Sequence, residues 1–292
     1  MPQNDVTLEA LLDRVARAPS PFYRTRLAGL GASAAAGFAE LPPTSRDELL
    51  RDQLAHLPHG TRRFADAAAP VRAGTTGTGA ALLVLTWTAA DLARERAAGA
   101  RLLGRIGIRA GMRVANTLPG ALATPGSLLL GDVIEEIGAL DVPLGEIISD
   151  TAARAAWELV DRVQPDVLVL PPETAPRFLG TAPAGERPWW QGIIWLRSGA
   201  GAIPPLPASF SFAGWQRTWL AVPEATNFVA ATCAGGHFHA DEALLAEAEG
   251  AHLVLTPLGV DTPVVRYDSA LPCRMRAGVC PCGAPGIVFD LT

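Results

Sequence analysis

Lysine is missing from this chain: all 24 Lys+Arg residues are arginine. The absence excludes a phosphate loop of the GxxxxGK[ST] kind, whose lysine reaches the terminal phosphates. It also leaves no internal lysine for catalysis, and arginine does not reproduce lysine's geometry. Charge as a whole is scarce, at 18% of 292 residues with a net charge of −5. No basic stripe is present, which excludes nucleic acid as a partner. No apolar run reaches transmembrane length, and the N-terminal MPQNDVTLEALLDRVARA lacks a signal-peptide core. A soluble, cytoplasmic protein with no membrane partner is expected. Cysteine is limited to Cys233, Cys273, Cys280 and Cys282, and a cytoplasmic setting argues against disulfides. What the chain has in quantity is apolar residues, 49% of the total. That suffices for a substantial core in one large domain or two moderate ones.

The densest local signal is VRAGTTGTGAALLVLTWT, residues 71–88, in which Gly74 to Gly79 are all Gly or Thr. The segment after it, Leu82 to Trp87, is β-branched, aromatic and too short for a helix, so it reads as a strand. A dinucleotide fingerprint needs a helix there and is therefore poor. Phosphate would be held by backbone N–H groups with the hydroxyls of Thr75, Thr76 and Thr78. Taken alone, the loop reads better as a Gly-Thr turn with no ligand.

Apolar residues at helical spacing (Val6, Leu8, Leu11, Leu12, Val15) open the chain. A capping box, Ser45 with Glu48, then starts a helix in TSRDELLRDQL. Another helix is expected from Asp91. RVANTL, LDVPLG and PDVLVLPP then read as strands separated by the helices GSLLLGDVIEEIG and TAARAAWELVDRV. The alternation predicts an α/β core over 1–197, doubly wound with a mainly parallel sheet. From 198 to 292 the texture turns to Gly, Pro and short strands, predicting a β-rich lobe.

The metal-type residues fall in two close pairs, one of cysteine with histidine and one of two cysteines. CAGGHFH sets His237 four residues after Cys233, and CPCG supplies Cys280 and Cys282. Zinc takes four N/S ligands in closed structural sites, so Cys233, His237, Cys280 and Cys282 make a Cys3His set. Cys273 and His239 are the alternative ligands. The competing reading is four unrelated thiols with ordinary surface histidines.

In their order along the chain, several segments resemble phenylacetate–coenzyme A ligases and coenzyme F390 synthetase-like proteins of the adenylate-forming (acyl-CoA synthetase) superfamily. They are YRTRL, LPPTSRDELLRD, RAGTTGTG, LTWTAADL, PDVLVLPPETAPRFL, CAGGHFHAD, LVLTPLGVDTPVVRY and CPCG. The resemblance implies the large N-terminal domain of that fold, with a homodimer and a structural zinc. It implies ATP phosphates on Gly74, Thr75, Thr76, Gly77 and Thr78. The family's Y-G-x-T-E motif falls on LAVPE, leaving Glu224 as the magnesium ligand of a Mg-ATP complex. A small aromatic or acyl carboxylic acid would be the substrate, with CoA, a carrier protein or a separate subunit as further partner.

The departures point elsewhere. Leu220, Ala221 and Pro223 replace the Tyr, Gly and Thr of that motif. R-Y-x-T-G-D falls on RYDSAL, so Leu271 stands where the ribose-binding Asp belongs; Asp268 is three residues away, on the opposite face. Arg72 and Ala73 replace the loop's leading serines, and Arg72 joins Glu224 as the expected catalytic pair. The chain ends about where the family's hinge begins, so no small C-terminal lysine-bearing domain is expected. The predicted function is an adenylate-forming, ligase-like protein, incomplete as a stand-alone CoA ligase. The alternative is a non-adenylating descendant, either a repurposed enzyme or a binding subunit. Trp189, Trp190, Trp195 and Trp215 either line an aromatic pocket or fill the core.

Overall fold

A computed structural model describes residues 7–18, 20–26, 37–118, 125–208 and 210–292. Val6 and Leu27 lie outside the described residues. Helix α1 (Leu8–Arg17) is capped by Thr7, whose Oγ1 accepts from Ala10 N–H at 3.1 Å. Its apolar face buries Leu11, Leu12 and Val15 against Tyr23 of α2 (Pro21–Arg26), Phe38 and Phe64. Helix α3 (Arg46–Ala55) starts at the predicted capping box, with Ser45 and Glu48 bonded in both directions.

The Gly-Thr segment is an antiparallel hairpin of β1 (Arg72–Thr76) and β2 (Leu83–Trp87), with Thr76 opposite Leu83. Its turn holds one 3₁₀ turn, Gly79–Ala81. Helix α4 (Ala89–Ile106) follows; it begins two residues before Asp91, because Thr88 is the N-cap and Asp91 closes the box from inside.

Among the described residues the remaining strands form one eleven-stranded sheet. Strands β3 (Arg113–Asn116), β4 (Leu140–Pro143), β5 (Val167–Leu170), β6 (Gly192–Arg197) and β7 (Trp215–Val222) run parallel in the order 4-3-5-6-7. Helices α5 (Pro125–Ile137), α6 (Asp150–Val163) and α7 (Ala175–Gly180) make the connections. Successive residues of β5 show that both faces are covered. Val167 and Val169 pack with Leu102 and Leu103 of α4 and Val133 of α5, while Leu168 and Leu170 pack with Trp157 of α6 and Phe178 of α7. Trp157 and Phe178 stack at 4.6 Å. Truncating either to alanine is expected to cost about 3–5 kcal/mol.

Beyond β7 the sheet becomes antiparallel. Strands β8 (Thr226–Thr232), β9 (Phe238–Ala240), β10 (Leu244–Glu249), β11 (His252–Pro257), β12 (Tyr267–Met275) and β13 (Val288–Leu291) extend it in the order 8-9-13-12-11-10. The predicted mainly parallel sheet is therefore mixed. The cause is local: only residues 223–225 join β7 to β8, too few for a parallel crossover. Hydrogen bonding also continues across the predicted 197/198 boundary, where β6 pairs with β7 along six positions, Gly192 to Arg197. Among the described residues no helix is long and apolar enough to cross a membrane.

Candidate functional site

The β7–β8 turn carries Glu224, where the sheet changes from parallel to antiparallel. Ligands of open α/β sheets bind beyond the carboxyl ends of the parallel strands, and this turn lies there. The Glu224 side chain is 9% exposed. Its Oε1 accepts from Thr76 Oγ1 of the hairpin at 3.2 Å and from Arg46 Nε at 3.0 Å. A second guanidinium, that of the buried Arg62, interacts electrostatically with the same carboxylate; burial lowers its pKa.

Arg46, which the sequence did not single out, completes this group. It is the first residue of α3, so the capping box that starts the helix also aims this side chain. The preceding segment is tied to β12: Thr44 bridges to Tyr267, and Asp268 N–H donates to the Thr44 carbonyl at 3.0 Å. Gln53, one of the helix's buried residues, bonds both Leu82 and Val84 of the hairpin. With α3 clamped at both ends, Arg46 Nη2 donates to the carbonyls of Thr76 at 3.0 Å and Ala81 at 2.8 Å. The capping box was legible in sequence; partners this distant were not.

Arg72, the cation predicted beside the loop, sits at the far end of β1. It is four positions from Thr76, about 13 Å along an extended strand. Its Nη1 lies 3.5 Å from Asp132 of α5. The hairpin brings Thr76 to Glu224 and leaves Gly77 and Thr78 exposed at its tip, with Gly74 buried and Thr75 half-buried.

A cavity of about 280 Å3 opens beside this group, lined by Arg46, Ser198, Glu224, Tyr267, Ala270 and Leu271 among others. Its rim on β12 is a bulge. His252 pairs with Pro272 and Val254 with Asp268, so two steps on β11 match four on β12. Ala270 takes up the excess with φ +54°. Leu271 is 4% exposed. Asp268 is not among the lining residues and pairs with His252 at 3.2 Å. Burial first, and then the Glu224 charge, raise the pKa of Tyr267. The other side of the Glu224 turn faces a smaller cavity, about 50 Å3, lined in part by Glu95 of α4. Burial pushes Glu95 up to about 7, although the Asn227 N–H and the Thr226 hydroxyl bond it. None of Trp189, Trp190, Trp195 and Trp215 lines the larger cavity. Trp190 and Trp195 are core residues and Trp189 stacks on Trp190.

The thiols gather at the antiparallel end. Ligand atoms of Cys233, His239, Cys280 and Cys282 lie within 4.8 Å of one another and could hold a metal ion. The histidine within this reach is His239, the alternative ligand, and not His237. His237 precedes β9 and turns its Nδ1 to Asp290 at 2.8 Å, whereas His239 lies within β9, opposite Val288, with Nε2 3.3 Å from Cys282 Sγ. Burial, and then the charge of Arg105, lower the pKa of His239. Cys273 is buried apart from this cluster.

Solved structures share this arrangement of strands and helices. An open conformation of 2-hydroxyisobutyryl-CoA ligase, in complex with 2-HIB-AMP and CoA, superposes with a TM-score of 0.82 at 16% identity. The match covers 97% of this chain and 71% of that one. The chain has the fold of acyl-CoA ligases. The same ligase in its thioesterification state, also with 2-HIB-AMP and CoA, gives 0.78 at 18% identity, over 97% of this chain and 66% of that one. A long-chain-fatty-acid-CoA ligase (FadD1) from Archaeoglobus fulgidus gives 0.53 at 11% identity, over 80% and 51%. This chain thus spans about two thirds of the length of 2-hydroxyisobutyryl-CoA ligase. No protein-family model and no curated protein sequence matches it.

Proposed function

We propose that this protein binds a small aromatic or acyl carboxylic acid in the 280 Å3 cavity and activates it as an adenylate. One observation carries the reading. Two segments that resemble adenylate-forming motifs line that cavity, the β7–β8 turn through Glu224 and β12 through Tyr267 and Leu271, and a third, the hairpin, bonds Glu224 through Thr76. The shared fold supports it, since the 2-hydroxyisobutyryl-CoA ligase structures contain an acyl-AMP and CoA. In the reaction a carboxylate oxygen attacks the α-phosphorus of ATP and pyrophosphate leaves. The thiol of CoA or of a carrier protein then attacks the acyl carbon, forming the thioester and releasing AMP. These 292 residues hold no lysine for the charge that develops, so within them only an arginine can supply it. Loss of one such stabiliser costs about a hundred- to a thousand-fold in rate, so these residues by themselves adenylate slowly. In this reading it acts in the cytoplasm as a homodimer. Pyrophosphate exchange with a panel of aryl and short acyl acids tests the activity. Absence of exchange together with absence of AMP binding would sink it.

Leu271 favours a second reading, a non-adenylating descendant, because a buried leucine cannot accept the ribose hydroxyls. In that case the cavity binds the acid but not the nucleotide.

The Cys/His cluster fits zinc. A tetrahedral site with Zn–S bonds of about 2.3 Å has S···S edges of about 3.8 Å. Cys233 and Cys280 are 3.8 Å apart at Sγ. Four protein ligands leave no open position, so the role is structural: the ion would join the β8–β9 turn to the segment before β13.

A further inference from the structure

Glu224 is the residue that the family resemblance makes a magnesium ligand, and its surroundings do not suit that ion. Magnesium requires near-octahedral oxygen coordination at about 2.0–2.1 Å. Oε1 of Glu224 is already the acceptor for both Arg46 Nε and Thr76 Oγ1. A divalent ion on that oxygen would stand beside one guanidinium, with the buried charge of Arg62 close to the same carboxylate. Like charges at such range repel strongly where water is scarce. The neighbouring Pro223 brings no hydroxyl to complete a shell.

Arg46 itself is held at three points, by Glu224 and by the Thr76 and Ala81 carbonyls. The hairpin closes on it only because residue 77 is glycine. A Cβ there would stand 2.5 Å from Arg46 Nη2, and the φ of +79° disfavours any other residue. Nε and Nη2 are engaged, while Nη1 has no partner among the described residues and belongs to a side chain that lines the cavity. A guanidinium fixed in this way is a receptor for an oxyanion.

We infer that Glu224 is the seat of Arg46 rather than a metal ligand, and that the cavity takes the anionic group of its ligand on Arg46 without a divalent ion. The inference rests on the adenylate reading of the cavity, whose ligands carry a phosphate or carboxylate.

Calorimetric titration of AMP and of inorganic pyrophosphate, each in magnesium buffer and in EDTA, tests it on the intact protein. Affinities that agree within about twofold between the two buffers are expected. Arg46→Gln should weaken both ligands at least tenfold in either buffer, the loss typical of one charge-assisted hydrogen bond. Gly77→Ala, which displaces the guanidinium, should act in the same direction. Arg46→Lys should recover part of the loss. If a variant fails to fold, the two-buffer comparison on the natural protein still decides. Binding that falls tenfold or more in EDTA, with Glu224→Gln abolishing the difference, would overturn the inference and leave the adenylate reading standing. Binding of neither ligand in either buffer would overturn both.

Discussion

Glu95 accepts a hydrogen bond from the backbone N–H of Asn227 at 3.1 Å, joining α4 to the strand that leaves the Glu224 turn. The same oxygen accepts from the Thr226 hydroxyl at 3.2 Å. Burial nonetheless dominates and lifts the carboxyl from 4.5 to about 7. Below pH 4.5 both folded and unfolded chains are protonated there. Between 4.5 and 7 the folded chain holds the extra proton, so stability falls as pH rises, and above 7 the penalty is complete. Glu95→Gln removes this dependence. Relative to the natural protein, the variant should gain on the order of 3 kcal/mol from pH 4.5 to 8. Urea unfolding at a series of pH values measures it, and equal slopes for the two proteins would refute it.

Metal content separates the two histidines. Protein purified without added metal should carry about one zinc per chain. His239→Ala and Cys282→Ser should lose it, and His237→Ala should keep it, since His237 is bonded to Asp290 instead. Elemental analysis decides; zinc lost from His237→Ala and kept in His239→Ala would reverse the assignment.

Ala270 holds φ +54° in the β12 bulge, a region that costs a residue with a Cβ about 1–2 kcal/mol. Glycine gives back part of that gain through the greater entropy of its unfolded chain. Ala270→Gly should therefore raise the unfolding free energy by about 1 kcal/mol. A lower denaturation midpoint would contradict the strain.

Leu271→Asp puts a carboxylate at the cavity wall. If the cavity is a nucleotide site, AMP affinity should rise about tenfold or more, the scale of one charge-assisted hydrogen bond. The position is buried, so the variant should also be less stable. Unchanged AMP affinity in a folded variant would favour the non-adenylating reading.

Arg72→Ala should leave AMP and pyrophosphate binding within about twofold, because Arg72 is at the far end of β1 and close to Asp132. Calorimetry alongside Arg46→Gln makes the contrast, and a tenfold loss in the Arg72 variant would restore it to the site.

Several features were legible in the residues because their causes are local. The Ser45–Glu48 box depends on atoms three positions apart. The strand after the Gly-Thr segment follows from its β-branched composition, and the apolar run of β5 from burial on both faces. The alternation of helices and strands from 89 to 197 marks the doubly wound half. The spacing of Cys233, Cys280 and Cys282 was enough to group the three thiols.

Other features depend on which strands lie side by side, and no window of sequence contains that. Glu224 and Arg46 are 178 residues apart and meet only because Thr44 pairs with Tyr267 and the hairpin folds over α3. His237 and His239 differ by two positions and look equivalent in sequence. The pairing of His239 with Val288 takes one to Cys282 and leaves the other to Asp290. The mixed sheet likewise follows from a three-residue turn at 223–225, read against partners as distant as β13. Caps, turns and periodicity are short-range properties of the chain. Register between distant strands is set by the burial of whole faces, and so it belongs to the folded molecule alone.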